Sequence, residues 1–180
     1  MRLGLDERGV TELMAAVDHA SGLAKLAAGL RLAPESEEAS ASAGLLAPVP
    51  EPEAGSRLGA LFDEIRGWAE ARLGLARVPA LWRSLGHHPA YLEAVWRREQ
   101  ALMGDGQVAA FQKLCVGYAI AANTVSDYMI DYYGLALRRA SLDERGMLEI
   151  LAVVEHFNGL NALADGMNIE SDIKPGLTYD

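Results

Sequence analysis

Apolar residues in this chain recur at spacings of three and four, and nowhere do they alternate with polar residues over a β-branched run. A chain patterned this way hides its apolar surface as helix faces, so the expected fold class is all-α. Leu5 to Leu32 places Val10, Leu13, Met14, Val17, Leu23, Leu26 and Leu30 on such spacings, with Asp6 positioned as an N-cap. Ser56 to about Leu73 repeats the pattern with Leu58, Leu61, Phe62, Ile65 and Trp68. Further helices are expected at 80–85, 89–103, 107–122, 124–139 and 142–167, separated by His87-His88-Pro89, by Gly104-Asp105-Gly106 and by short turns. Between the first two helices, residues 33–55 are rich in Ser, Glu, Ala and Pro. Pro48, Pro50 and Pro52 each lack an amide donor, which excludes a helix interior there and marks a linker.

The first helix is also an imperfect copy of the last. Leu5-Asp6-Glu7-Arg8-Gly9 recurs as Leu142-Asp143-Glu144-Arg145-Gly146. The likeness continues without gaps through Glu12/Glu149, Val17/Val154, His19/His156, Gly22-Leu23/Gly159-Leu160 and Leu26-Ala27/Leu163-Ala164. Amphipathicity alone does not reproduce a pentapeptide and a histidine at the same offset, so a duplicated structural unit is expected. The expected organisation is an N-terminal helix over 1–32 that repeats part of 142–169, a linker over 33–55, a domain over 56–170, and a tail over 171–180. His19 with Glu12, and His156 with Glu149, lie seven apart on one helix face. Their recurrence points to a role in helix packing.

At 180 residues the chain can bury one real core. No apolar run approaches the roughly 18 residues of a membrane span, and Asp6, Glu7 and Arg8 interrupt any leader-like apolar stretch; the expected compartment is the cytoplasm, with no membrane association. Sixteen Lys and Arg against 25 Asp and Glu give a net charge of −9, which opposes a phosphate backbone and argues against nucleic acid as a partner. Cys115 is the single cysteine, so neither an intramolecular disulfide nor a cysteine-rich zinc site can form. Neither a metal nor a cofactor is expected.

Three segments carry a family likeness. Leu73-Gly74-Leu75-Ala76-Arg77-Val78-Pro79-Ala80-Leu81-Trp82 is followed by His88-Pro89. Ala119-Ile120-Ala121-Ala122-Asn123 forms an apolar run. Leu137-Arg138-Arg139-Ala140-Ser141-Leu142 precedes Val153-Val154-Glu155-His156-Phe157-Asn158-Gly159-Leu160-Asn161-Ala162-Leu163-Ala164-Asp165. Together they resemble the superfamily of carboxymuconolactone decarboxylases and alkylhydroperoxidase D-like proteins, in particular its peroxidase-related branch. The resemblance implies an alkylhydroperoxidase D-like helical bundle, an antioxidant peroxidase label, and a closed homo-oligomer, a trimer or hexamer. Trp82, Trp96, Tyr132 and Tyr133 are the candidate contact residues for that oligomer.

In that family a Cys-x-x-Cys-x-x-x-His sequence opens the helix after the apolar run, and an upstream Glu completes a proton relay. A thiolate attacks the peroxide, a second thiol resolves the sulfenic acid, and the acid–base pair lowers the attacking thiol's pKa. The positions matching this motif are Ser126, Met129, Tyr133 and, for the glutamate, Leu114. A frame shifted by one gives Val125, Tyr128, Tyr132 and Lys113, and again no sulfur pair. The expectation is therefore a scaffold of this type without the redox pair, acting as a non-redox binding or scaffold protein, with a small molecule as candidate ligand. A second reading is a non-redox enzyme of the decarboxylase type acting on a small organic acid or lactone. Its candidates are the carboxylates Asp127 and Asp131, the phenols Tyr128, Tyr132 and Tyr133, and His156. A third reading is a one-cysteine peroxidase using Cys115, although Phe111, Leu114, Tyr118 and Ala122 place that thiol on an apolar stripe. Asp127 and Asp131 are also expected as a solvated face paired with Arg138 or Arg139. Asn158 and Asn161 are expected to satisfy backbone groups.

Overall fold

The computed structural model describes residues 4–36 and 44–169. Among these are seven helices, a 3-10 turn at Glu51–Glu53, and no strand. The helices are α1 (Glu7–Leu30), α2 (Ser56–Leu73), α3 (Ala80–Leu85), α4 (Pro89–Met103), α5 (Ala110–Asn123), α6 (Asp127–Arg139) and α7 (Glu144–Gly166). No described helix is long and apolar enough to cross a membrane.

Local chemistry sets most boundaries. Asp6 Oδ1 accepts from Gly9 N at 2.9 Å and Asp143 Oδ1 from Gly146 N at 2.8 Å, so the two repeated pentapeptides cap α1 and α7 in the same way. At the end of α2, Gly74 takes a left-handed φ of 74°, which lets its own N–H reach Glu70 O while Leu75 N reaches Ala69 O. His88 Nδ1 accepts from Tyr91 N at 3.1 Å and Pro89 occupies the first turn, so the histidine pair is a capping loop as its sequence suggests.

Two starts fall later than periodicity predicts. α5 opens at Ala110 rather than Gln107, because the Gln107 N–H is drawn to Glu12 Oε2 at 2.8 Å and Asp105 Oδ1 caps the Ala110 N–H. α6 opens at Asp127 rather than Thr124, because Ser126 N bonds back to Ala121 O and Val125 is turned to a φ of 53°.

α5 and α6 form the central pair, with α1 laid across α4, α5 and α6 and with α2 flanking α6. α1 seats itself mainly with small residues: Ala16, Ala20, Ala24 and Ala27 are buried, with Leu23 beside them. The interior is aromatic. Trp96 meets Trp68 and Trp82 edge-on at centroid distances of 5.3 Å, Tyr132 stacks on Trp68 at 6.1 Å, and Tyr132 meets Tyr133 at 5.6 Å. Trp82, Trp96, Tyr132 and Tyr133 are therefore sealed inside one chain, and the expectation that they form contacts between subunits is corrected: each is at most 1% exposed.

The linker is more ordered at its described ends than its composition suggests. Glu35 is buried, and its carboxylate accepts from Tyr128 Oη at 2.7 Å, from Arg77 Nη2 at 2.8 Å and from the backbone N–H of Ala80. Glu51 accepts from Val78 N at 2.8 Å and from Arg66 Nη2 at 2.6 Å, while His87 Nε2 meets Ala47 O at 2.8 Å. These contacts tie 33–36 and 44–55 to α2, to the turns on either side of α3, to the start of α3 and to α6. Residues 37–43, 1–3 and the tail from 170 lie outside the described residues.

Removing the Glu35 carboxylate orphans a buried phenol and a helix-start amide. Glu35→Ala is expected to cost about 1–3 kcal/mol in urea unfolding, with Glu35→Gln recovering part of the loss through its remaining acceptor.

Candidate functional site

A cleft of about 230 Å³ opens between α2, α4, α5 and α6, and Trp68, Arg72, Glu99, Met103, Leu114 and Tyr132 line it. Glu99 reaches it because Leu92, Trp96, Glu99 and Met103 form the buried stripe of α4. His19 arrives from α1, whose buried stripe includes it. His19 Nε2 and Glu99 Oε2 are 2.7 Å apart, with side chains 2% and 3% exposed. One hydrogen bond joins them, and their burial strengthens it relative to the same contact in water.

The phenols beside this pair are held neutral. Burial first, and the Glu99 carboxylate second, push Tyr132 and Tyr133 well above the ordinary phenol value. Tyr132 Oη also accepts from Trp82 Nε1 at 3.3 Å. The Tyr133 hydroxyl is buried without a partner, and its ring lies directly over Gly117, where a Cβ would fall 2.6 Å from the ring. Tyr128 is raised chiefly by burial and then by Glu35; its hydroxyl donates to Glu35 and accepts from Leu81 N at 3.0 Å. A second buried polar seat lies nearby: the Lys113 ammonium, 1% exposed, pairs with Glu12 and donates to Gly104 O at 2.6 Å. That contact and the Gln107 amide hold the Glu12 carboxyl below its ordinary range, offsetting its desolvation.

The residues singled out from sequence separate into three places. Ser126, Met129, Tyr128, Tyr132 and Tyr133 are interior. Ser126 Oγ contacts Ala24 O at 3.4 Å, Met129 is core, and only Tyr132 and Leu114 border the cleft. Asp127 and Asp131 instead border a wide groove of about 560 Å³ together with Arg31 and Arg138. Asp131 accepts from Ser36 N at 2.9 Å and Ser36 Oγ at 2.6 Å, and Arg139 Nε donates to Ala71 O; of the expected arrangement, a solvated face paired with Arg138 or Arg139, Asp127 is exposed and Asp131 is held by Ser36. The carboxylates and phenols of α6 thus face opposite ways. His156, Asn158 and Asn161 stand exposed on α7, outside either recess, and so cannot act with the α6 phenols within one chain. Cys115 is half-buried, and burial raises its thiol, which disfavours the thiolate a peroxidase needs. Among the described residues no three His, Cys, Asp or Glu side chains converge to hold a metal.

Glu99 was missed by sequence reasoning, and so was the link from His19 to it. A glutamate on the stripe Leu92–Trp96–Met103, and Lys113 on the stripe Ala110–Gly117–Ala121, were the available signals. The repeated Glu-to-His spacing was read as a pair; instead Glu12 and His19 each take a different partner.

The fold that brings these groups together is the alkylhydroperoxidase D-like helical fold. The chain superposes on the crystal structure of the alkylhydroperoxidase AhpD core from Rhodospirillum rubrum ATCC 11170 with a TM-score of 0.63 and 23% identity, covering 72% of this chain and 94% of that one. At that identity the likeness is one of fold. No protein-family model matches the chain, and no curated protein matches it.

Two outcomes test this packing. In a near-ultraviolet absorbance titration, Tyr128, Tyr132 and Tyr133 are expected to ionise only as the chain unfolds. Because their folded pKa lies above the unfolded value of about 10, their contribution is complete below that pH and is lost as pH rises toward the folded value. Tyr132→Phe should reduce this late-titrating class by one. Gly117→Ala is expected to cost about 1–3 kcal/mol by forcing the Tyr133 ring aside, and to cost measurably less in a Tyr133→Ala background.

Proposed function

We propose that this chain is a non-redox protein on the alkylhydroperoxidase D-like fold, and that it binds a small organic acid in the Arg72–Glu99–Tyr132 cleft. The supporting observation is the buried His19–Glu99 pair against that cleft: a hydrogen-bonded histidine and carboxyl group beside a neutral phenol, with a guanidinium at the rim. Arg72 suits a carboxylate, since its planar donors match two carboxylate oxygens. Tyr132 offers a neutral hydroxyl, and Trp68 and Met103 offer an apolar wall.

Peroxide reduction by a sulfur pair is unsupported on chemical grounds. One cysteine cannot both attack and resolve, and at the positions matching the family motif stand Ser126, Met129, Tyr133 and Leu114, none of which cycles electrons as thiols do. Cys115 lacks the cationic surroundings that would activate it. A second reading, acid–base catalysis on an organic acid or lactone, is favoured by the same dyad. Glu99 would accept or return a proton at the cleft while His19 holds the carboxyl group in place from behind.

The test is a screen of small mono- and dicarboxylates and lactones by thermal unfolding, beside a hydroperoxide turnover assay. A cognate acid at a hundredfold its Kd is expected to add about 2.7 kcal/mol, a rise of roughly 5–10 °C in Tm. Arg72→Ala should abolish that rise. Hydroperoxide turnover is expected to be absent; turnover that disappears in Cys115→Ser would overturn the proposal in favour of a one-cysteine peroxidase. Consumption of an acid or lactone that Glu99→Gln stops would select the enzymatic reading.

A further inference from the structure

On the face of α6 away from the cleft, the groove of about 560 Å³ is bracketed by charges that do not neutralise one another. Arg31 and Arg138 line it beside Asp127 and Asp131, yet among the described residues none of the four belongs to an ion pair. Arg138 folds back along α6 toward Asp131. A Cβ placed on Gly134 would lie 3.6 Å from Arg138 Nη1, so the guanidinium rests over a residue about 5 Å of helix beyond Asp131. At that range the two would ordinarily close on each other, and the segment before the linker holds them apart. Glu35 is locked by Tyr128, Arg77 and the Ala80 amide, and the next residue takes both Asp131 oxygens, Ser36 N on Oδ2 and Ser36 Oγ on Oδ1. Both contacts donate to the carboxylate, so its orientation is fixed without its charge being cancelled. The floor is apolar: the same Cβ on Gly134 would meet Met147 Cε at 3.4 Å and Tyr118 Cε2 at 3.9 Å, and Ile130 lies one turn away.

We propose that this groove is a second binding site, and that its ligand is a small zwitterion of the α-amino-acid type with an apolar side chain. The carboxylate lies on Arg138 and Arg31, the ammonium on Asp127 and Asp131, and the side chain on the Tyr118–Met147 floor. Charge decides the class. An anion such as phosphate would gain two guanidiniums and meet two carboxylates, and a metal ion or simple amine would meet the reverse. A wholly apolar molecule would desolvate all four charges without replacing their water. A molecule with both charges on neighbouring atoms satisfies both walls at once. Guanidinium donors match the two oxygens of a carboxylate, and the three donors of an ammonium suit two aspartates on successive turns. The site shares no residue with the Arg72–Glu99–Tyr132 cleft and does not depend on the ligand proposed there.

Isothermal titration of the full chain tests it, with L-leucine, L-methionine and L-phenylalanine as probes and with isocaproate and isoamylamine as leucine analogues lacking one charge each. At least one amino acid is expected to bind, and for leucine both analogues are expected to bind more weakly by roughly tenfold or more. Arg138 and Asp127 are exposed, so Arg138→Ala and Asp127→Asn are expected to keep the helical circular-dichroism spectrum. Each should weaken amino-acid binding by roughly tenfold or more. Absence of binding by all three amino acids would overturn the proposal. So would isocaproate or isoamylamine binding as tightly as leucine, which would mean a simple anion or cation site. Amino-acid binding that Arg72→Ala abolishes and Arg138→Ala leaves intact would place the ligand in the cleft and overturn it as well.

Discussion

The seat of α1 depends on two buried polar contacts, His19 with Glu99 and Glu12 with Lys113, each joining α1 to a different wall of the groove. A helix face of small side chains, such as Ala16, Ala20, Ala24 and Ala27 of α1, gives little directional information, since alanines slide with small changes in packing energy. Two polar contacts seven residues apart on α1 remove that freedom. A shift of one helical turn would leave the Lys113 ammonium and the Glu99 carboxylate buried and unpaired, and unpaired buried charge costs far more than an imperfect apolar fit. The register of α1 is therefore fixed by electrostatics, with apolar burial supplying the adhesion. The position of the cleft follows, because Glu99 is held by the helix that covers it.

This arrangement explains how acid–base equipment and structural equipment come to be the same residues. His19 closes the core from one side while Glu99 borders a recess on the other. The neighbouring phenols are neutral because they are buried and because a carboxylate lies close by; the same low-dielectric surroundings that keep Tyr132 protonated also strengthen any contact a ligand makes with Glu99. The opposite face of α6 carries the exposed Asp127 and the half-buried Asp131, the latter held by the Ser36 hydroxyl and backbone amide. Spacing along a helix placed Asp127 with Asp131 and Tyr128 with Tyr132 correctly, and it was the rotation of α6 about its axis, set by packing, that assigned one pair to the interior and the other to the surface.

That difference marks how much was legible beforehand. Helix number, order and approximate extent follow from period alone, and caps such as Asp6 and His88 followed from local residue chemistry. The late starts of α5 and α6 were not legible, since the Gln107 amide is diverted by a glutamate on another helix. The site was half legible. His19 stood out through its recurrence at His156, but its partner lies 80 residues away on α4, and nothing local to either residue announces the pairing. Glu99 on an otherwise apolar stripe was a sign of buried charge, as was Lys113 on its own stripe. A charged residue at a core position requires a partner, and the histidine and glutamate of α1 were the complementary groups left without one on their own helix.

The sequence likeness of α1 and α7 does not extend to their surroundings. α7 carries Glu149 and His156 at the offsets of Glu12 and His19, yet both stand in solvent, with only a loose contact of 3.7 Å between Arg145 and Glu149. The same two polar groups thus key α1 into a groove and do nothing comparable for α7 within one chain. Side-chain volume accounts for the divergence. Where α1 has Ala16, Ala20 and Ala24, α7 has Val153, Phe157 and Asn161, and a close-packed groove that accepts alanines cannot accept a phenylalanine without being forced open. α1 is shaped for burial against its own chain. α7 carries larger apolar side chains on the corresponding face, and Val153, Phe157 and Leu160 stand exposed there.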